Sequence, residues 1–178
     1  MRSKSALSVI PAMAGFLLCG AALPALAVGL PTPTGLPAQQ PVPDAHPYVI
    51  GADAKAQVAA AFAAAKSSGK AVLIDFGANW CPDCRMLNGV LQMPQVKPWK
   101  DSRFETVMVN VDHFNVNMDI AAQYGVHVKQ IPTVLVLTPD GKLLNPDGTL
   151  TLGNARTMSP QADIDLIASW DARAPQAQ

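Results

Sequence analysis

Two cysteines three residues apart, Cys81 and Cys84, follow the apolar run Ala71-Val72-Leu73-Ile74 and open a stretch with helical spacing. A strand that ends in Cys-x-x-Cys and turns into a helix is an arrangement for redox work. At this spacing both sulfurs lie on the same side of a first helical turn, close enough to bond to each other. One sulfur can attack a partner's disulfide, and the other can then release the product. Cys81 falls where an N-cap belongs, with Pro82 at the first helical position. The unpaired amides and the positive end of the helix dipole then face the Cys81 sulfur and favour its thiolate. Cys84 lies one turn deeper and is expected to be shielded.

Two close thiols are also half of a zinc site, which needs about four ligands. His46, His113 and His127 are the histidines that remain, and none has ligand-like spacing. Asp75 sits six residues before Cys81, inside Leu73-Ile74-Asp75-Phe76. An acid among such neighbours is expected to be buried, and burial raises a carboxyl pKa. It is read either as a proton carrier for the thiols or as a strand-edge cap of the next helix. Pro132, in Ile131-Pro132-Thr133, starts a run that otherwise reads as a buried strand. Proline is out of place there unless it is special; the ordinary alternative is a trans proline opening an edge strand.

The elements that position these residues follow from hydrophobic spacing. An alanine-rich helix runs from Asp53 to Ser67 and is stopped by Ser68-Gly69. Ala71 to Phe76 is a strand. A helix from Pro82 carries Met86, Leu87, Val90 and Leu91 on its apolar side and stops before Pro94. Phe104 to Val111 is a second strand, Met118 to Tyr124 a short helix, and Thr133 to Leu137 a third strand. Pro139-Asp140-Gly141-Lys142 turns into a short fourth strand at Leu143. Ser159 caps a last helix that reaches about Ala172. Met86, Met93, Met108 and Met118 read as core filling, and Trp99 and Trp170 as core or rim. This layout predicts an α/β fold: parallel pairing in its first part, an antiparallel last pair, and a mixed sheet with helices on both faces.

The 178 residues favour one domain plus extras. Basic and acidic residues number 13 each, so no electrostatic footprint of a nucleic-acid binder is present. Residues 1–27 read as a cleaved secretion signal: Arg2 and Lys4, an apolar stretch, then Ala25-Leu26-Ala27 as the cleavage site. A retained anchor is the alternative, disfavoured by Pro11, Pro24 and the small-residue site. Cleavage removes Cys19 and leaves Cys81 and Cys84 as the cysteines. An exported chain with a single close pair uses it rather than being stapled by it. Residues 28–50 are proline-rich and without apolar periodicity, and are expected to form an extended, mobile linker. The folded domain is expected over residues 51–174.

From about Asp53 to Trp170, roughly two thirds of the chain, the sequence resembles thioredoxin. Among thioredoxin-like proteins it is similar to exported ones, such as the periplasmic C-terminal domain of the transmembrane disulfide reductase. The resemblance rests on Trp80-Cys81-Pro82-Asp83-Cys84, on Asp75, on Ile131-Pro132-Thr133 and, loosely, on Gly153. It implies a thioredoxin fold, with Cys81 as nucleophile and Cys84 as resolving thiol. It also implies that Asp75 exchanges the Cys84 proton, that Trp80 shields the site, and that Pro132 is cis. The backbone at Ile131 would then pair with an extended substrate segment. Gly153 would lie where a partner approaches, or serve only a turn.

Two departures matter. Met108 stands where thioredoxin has a lysine near the buried acid, which leaves the Asp75 pKa less restrained. Asp83 between the cysteines disfavours the thiolate, makes the reduced form less favoured and the pair more reducing. The expectation is therefore a periplasmic thiol–disulfide oxidoreductase that reduces disulfides in cell-envelope proteins and is recharged by a membrane thiol donor. No cofactor signature is present. The alternatives are a disulfide oxidase or isomerase, or a binding module or metal carrier using the same two thiols.

Overall fold

The computed structural model describes residues 29–175. The expected signal, residues 1–27 with Cys19, lies outside the described residues. Helix α1 (Ala54–Ser68) starts at Asp53, whose carboxylate accepts the Ala56 N–H at 3.0 Å. It ends at Gly69, where φ is 75°, a left-handed conformation that glycine adopts at no steric cost. Strand β1 (Ala71–Gly77) follows, then α2 (Pro82–Leu91), α3 (Lys97–Arg103), β2 (Phe104–Asn110) and α4 (Met118–Ala122). Strand β3 (Thr133–Leu137), a 3-10 helix (Thr151–Thr157) and α5 (Pro160–Asp171) complete the order.

The sheet runs β2-β1-β3. Central β1 is buried along its whole length, and its side chains alternate between two cores. Val72, Ile74 and Phe76 join Val58, Ala61 and Ala65 of α1 and Ile120 of α4. Ala71 and Leu73 join Leu87 and Val90 of α2, Trp99 of α3, and Ile164, Ile167 and Trp170 of α5. Helices therefore cover both faces, as expected, and Trp99 and Trp170 belong to the core. Each such leucine stabilises the fold by about 2 kcal/mol through burial.

β1 pairs parallel with β2 but antiparallel with β3. Helix α4 explains the reversal. Five residues of helix span about 7.5 Å, whereas a seven-residue strand is about 23 Å long. The chain leaving β2 beside Gly77 therefore stays at that end, and β3 enters opposite Phe76.

Other expectations are corrected. The fourth strand at Leu143 is a single bridge to Leu137. Beyond it the Asn145 side chain takes over the pairing, accepting the Val136 N–H at 2.9 Å and donating to the Val134 carbonyl at 2.8 Å. Helix α3, absent from the sequence reading, buries Trp99 edge-on to Phe104, their ring centroids 5.6 Å apart.

The proline-rich segment is extended but is not a free linker. The Leu36 N–H donates to Gln161 at 3.1 Å, and Gln161 donates to the Pro33 carbonyl at 3.0 Å. Gln40 donates to the Met158 carbonyl. The Asp44 N–H reaches the Arg85 carbonyl at 3.3 Å, and Arg85 Nε returns to the Asp44 carbonyl at 3.0 Å. An extended proline-rich chain has no internal hydrogen bonds, so its backbone is free to bond to a surface. Here it forms a strap across α5, the 3-10 helix and α2.

Candidate active site

Strand β1 delivers the chain to α2, and the two sulfurs sit on the first turn of that helix. Cys81 is the N-cap, with extended φ −81° and ψ 115°, and Pro82 opens the helix. The Cys84 N–H donates to Cys81 Sγ at 3.2 Å, so the sulfur takes the capping role usually filled by an oxygen. The two residues form a disulfide with Cα atoms 5.4 Å apart. Cys81 keeps 3% of its surface exposed and Cys84 none, which orders access: an incoming molecule meets Cys81 first.

The loop before β3 closes the far side. The Ile131–Pro132 peptide is cis, and the Ile131 carbonyl oxygen lies 3.5 Å from Cys81 Sγ. Trp80 forms a rim. Its indole N–H donates to the Asp112 carbonyl at 3.0 Å, and its ring stacks on His113 with centroids 5.4 Å apart. Phe114 meets the same indole edge-on at 6.4 Å. Trp80 remains 48% exposed and Phe114 38%, so the two make an aromatic ledge next to Cys81. His113 thus belongs to this rim, while His46 and His127 are exposed elsewhere.

Asp75 is fully buried below the pair. Its register partners are Met108 on β2 and Val134 on β3, neither of which carries charge. Burial pushes its pKa up to about 7, against the opposing pull of one hydrogen bond. That bond comes from Tyr48 in the strap, whose hydroxyl donates to Asp75 Oδ2 at 3.0 Å. Oδ1 has no partner. Tyr48 is held by Asn79 at two points: its N–H donates to the Asn79 side chain at 3.0 Å, and that side chain donates back to the Tyr48 carbonyl at 2.9 Å.

Asp83, between the cysteines, accepts the Arg156 N–H at 3.1 Å from the 3-10 helix. Gly153 of that helix packs against Gln130; a β-carbon there would lie 2.3 Å from Gln130 Nε2. Among the described residues no group of three or more His, Cys, Asp or Glu side chains is arranged to hold a metal ion.

A two-thiol helix start beside a cis proline, above a buried acid, invites comparison with known proteins. A thioredoxin-like family model matches residues 53–139. A thioredoxin from Bacillus subtilis (strain 168) is 37% identical over 80 residues, 45% of this chain and 69% of that protein. The crystal structure of a disulphide isomerase from Xylella fastidiosa Temecula1 superposes with a TM-score of 0.66 at 38% identity, covering 70% of this chain and 95% of that one. The chain belongs to the thioredoxin-like family. A thioredoxin from Chlorobaculum thiosulfatiphilum is 40% identical over 70 residues, 39% of this chain and 58% of that protein. The chain spans little more than half the length of most of the curated thioredoxins it matches.

The Cys81–Cys84 pair has the spacing and placement for thiol–disulfide exchange. The structure brings Cys81, Cys84, Asp75, Trp80, Ile131 and Pro132 to one end of β1 and β3. Tyr48 is the residue that sequence reading missed. Its signal is faint: Pro47-Tyr48-Val49-Ile50, an apolar aromatic tetrapeptide ending a polar, proline-rich run.

Proposed function

We propose that this thioredoxin-like chain is exported to the periplasm and there reduces disulfides in cell-envelope proteins. The observation that carries the reading is the capped Cys81 sulfur at the start of α2 with the buried Cys84 directly behind it. The Cys81 thiolate attacks one sulfur of the partner disulfide. The partner's S–S bond breaks, a mixed disulfide forms, and the other partner sulfur leaves as a thiolate. Cys84 gives its proton to Asp75, and the resulting thiolate attacks Cys81 Sγ. The mixed disulfide breaks, the second partner sulfur leaves, and the Cys81–Cys84 bond forms. The partner gains two electrons and the pair loses two. A membrane-borne thiol relay returns them. In this scheme Trp80 shields the mixed disulfide, and the backbone at Ile131, beside cis Pro132, pairs with the extended partner segment.

A second reading is isomerisation, favoured by the likeness to the Xylella disulphide isomerase. Isomerisation needs one thiolate that attacks and leaves again; net reduction needs both. Cys84→Ala separates the two. Under the reductase reading the variant accumulates covalent partners in the envelope and loses dithiothreitol-coupled insulin reduction, as does Cys81→Ser. Retained refolding of scrambled ribonuclease by Cys84→Ala, with wild type unable to reduce insulin, would favour isomerisation. No trapped partner through Cys81, with both variants as active as wild type, would overturn both readings.

A further inference from the structure

We propose that Tyr48 relays the proton between Cys84 and Asp75, which makes the proline-rich strap a working part of the redox site. The proposal rests on the reading of Cys84 as the resolving thiol.

The geometry at Gly77 carries it. A β-carbon on Gly77 would stand 2.1 Å from the Tyr48 hydroxyl and 3.0 Å from Cys84 Sγ. Phenol oxygen and sulfur therefore crowd the same small space, which is open because residue 77 has no side chain. The same hydroxyl donates to Asp75 Oδ2 at 3.0 Å, so the acid holds it in the space that Cys84 Sγ borders. Asp75 is fully buried, and among the described residues its second oxygen has no partner.

Among the described residues, Tyr48 is the one polar contact of Asp75. β2 presents Met108 and β3 presents Val134. α2, on the face of β1 that carries Asp75, contributes Cys84 and the buried Asn88, whose Nδ2 lies 3.8 Å from Met108 Sδ. None of these carries a fixed charge. Burial and the neighbouring acid hold the Tyr48 pKa well above 10, so the phenol hands protons on without ionising.

The step balances. The Cys84 S–H bond breaks as its proton passes to the Tyr48 oxygen. The old Tyr48 O–H bond breaks as its proton passes to Asp75 Oδ2. Tyr48 ends as it began, Asp75 is protonated, and the sulfur keeps the electron pair with which it attacks Cys81.

Tyr48→Phe keeps the ring and removes only the hydroxyl. Two measurements test the proposal. The first is the Asp75 carboxyl titration by carbon NMR in reduced wild type and variant, which does not depend on activity. It is expected to move to higher pH in Tyr48→Phe, because the donor that steadies the carboxylate is gone. The second is single-turnover resolution of a Cys81–glutathione mixed disulfide. It is expected to slow at pH 7 by roughly tenfold or more, with its pH profile moved alkaline. Adding Tyr48→Phe to Asp75→Asn is expected to change nothing further.

If Tyr48→Phe folds poorly by near-ultraviolet circular dichroism, Asn79→Ala loosens the same seat and is expected to shift both readouts in the same direction by less. An unmoved Asp75 titration, or equal slowing in wild-type and Asp75→Asn backgrounds, overturns the relay. Failure of wild type to resolve the mixed disulfide overturns the reductase reading instead, and the titration still decides whether Tyr48 governs Asp75.

Discussion

Arg156 closes over Asp83, the acid between the two cysteines: its N–H donates to one carboxylate oxygen at 3.1 Å, and its guanidinium Nε lies 3.4 Å from the other. Asp83 on its own works against a thiolate at Cys81. Arg156 returns part of that charge, so the pair's potential is set by two side chains from different elements, α2 and the 3-10 helix. Arg156→Ala is expected to raise the Cys81 pKa only slightly, because the guanidinium is half-exposed and screened by solvent. Asp83→Asn should move it the other way. The thiolate stabilises the reduced form, so Arg156→Ala makes the pair more reducing and Asp83→Asn more oxidising. Iodoacetamide rates against pH and equilibration with glutathione read both quantities. A shift of the same sign in the two variants would refute the charge account.

Asp75 gives the protein a pH-dependent stability of definite sign. Its carboxyl has an ordinary value of 3.8 and is raised to about 7, first by burial, with the Tyr48 bond pulling the other way. Between those values the folded chain holds a proton that the unfolded chain has lost. Stability is therefore full below the lower value and falls as pH rises through the window, by on the order of 4 kcal/mol in total. Asp163 in α5, also raised to about 7 by burial, adds its own fall in the same window. Asp75→Asn is expected to flatten part of the decline and to exceed wild type in stability at pH 8. Urea denaturation of the oxidised protein at pH 5 and pH 8 checks this. An unchanged difference between the two pH values in Asp75→Asn would remove Asp75 as its source.

The strap is held by fit as well as by hydrogen bonds. A β-carbon on Gly89 of α2 would lie 3.0 Å from the Val42 carbonyl oxygen and 3.4 Å from Pro43 Cα, so the helix has no room for a side chain there. Gly89→Leu is expected to lift the strap while leaving α2 intact, since leucine favours helix more than glycine does. Limited proteolysis should then cut between residues 33 and 45, where wild type is expected to resist, and Asp75 should lose the Tyr48 bond. Equal protection of wild type and variant would mean that the strap does not need this seat.

What the sequence discloses is what short-range chemistry dictates. The strand, turn and helix that carry the cysteines are legible because β1 is a continuous apolar run and because N-cap and proline positions are local rules. The site at Asp75 is legible as an acid among hydrophobic neighbours. The antiparallel β3 was not, because strand direction depends on whether α4 is long enough to cross the sheet. Helix α3 hides behind Pro98 and its charged residues, and is marked in the fold by the burial of Trp99. Tyr48 was the deepest omission: it meets Asp75 across 27 residues and Asn79 across 31, and composition gives the strap no apolar period to show where it docks.

Trp80, exposed at 48% and stacked on His113, offers a surface that a protein partner would cover and a small disulfide would not. Aromatic side chains of this kind supply large contact area, and their loss from an interface centre costs about 2 kcal/mol or more, roughly thirtyfold in affinity. A small disulfide makes its contact at Cys81 alone. Trp80→Ala is therefore expected to raise KM for a protein disulfide such as insulin while leaving kcat near wild type. The rate with dithionitrobenzoate should change little. Phe114→Ala should act in the same direction with a smaller effect, because Phe114 meets the indole edge-on and is 38% exposed. Equal losses with the protein and the small disulfide would show that Trp80 supports Cys81 itself, and the ledge would then have no part in partner choice.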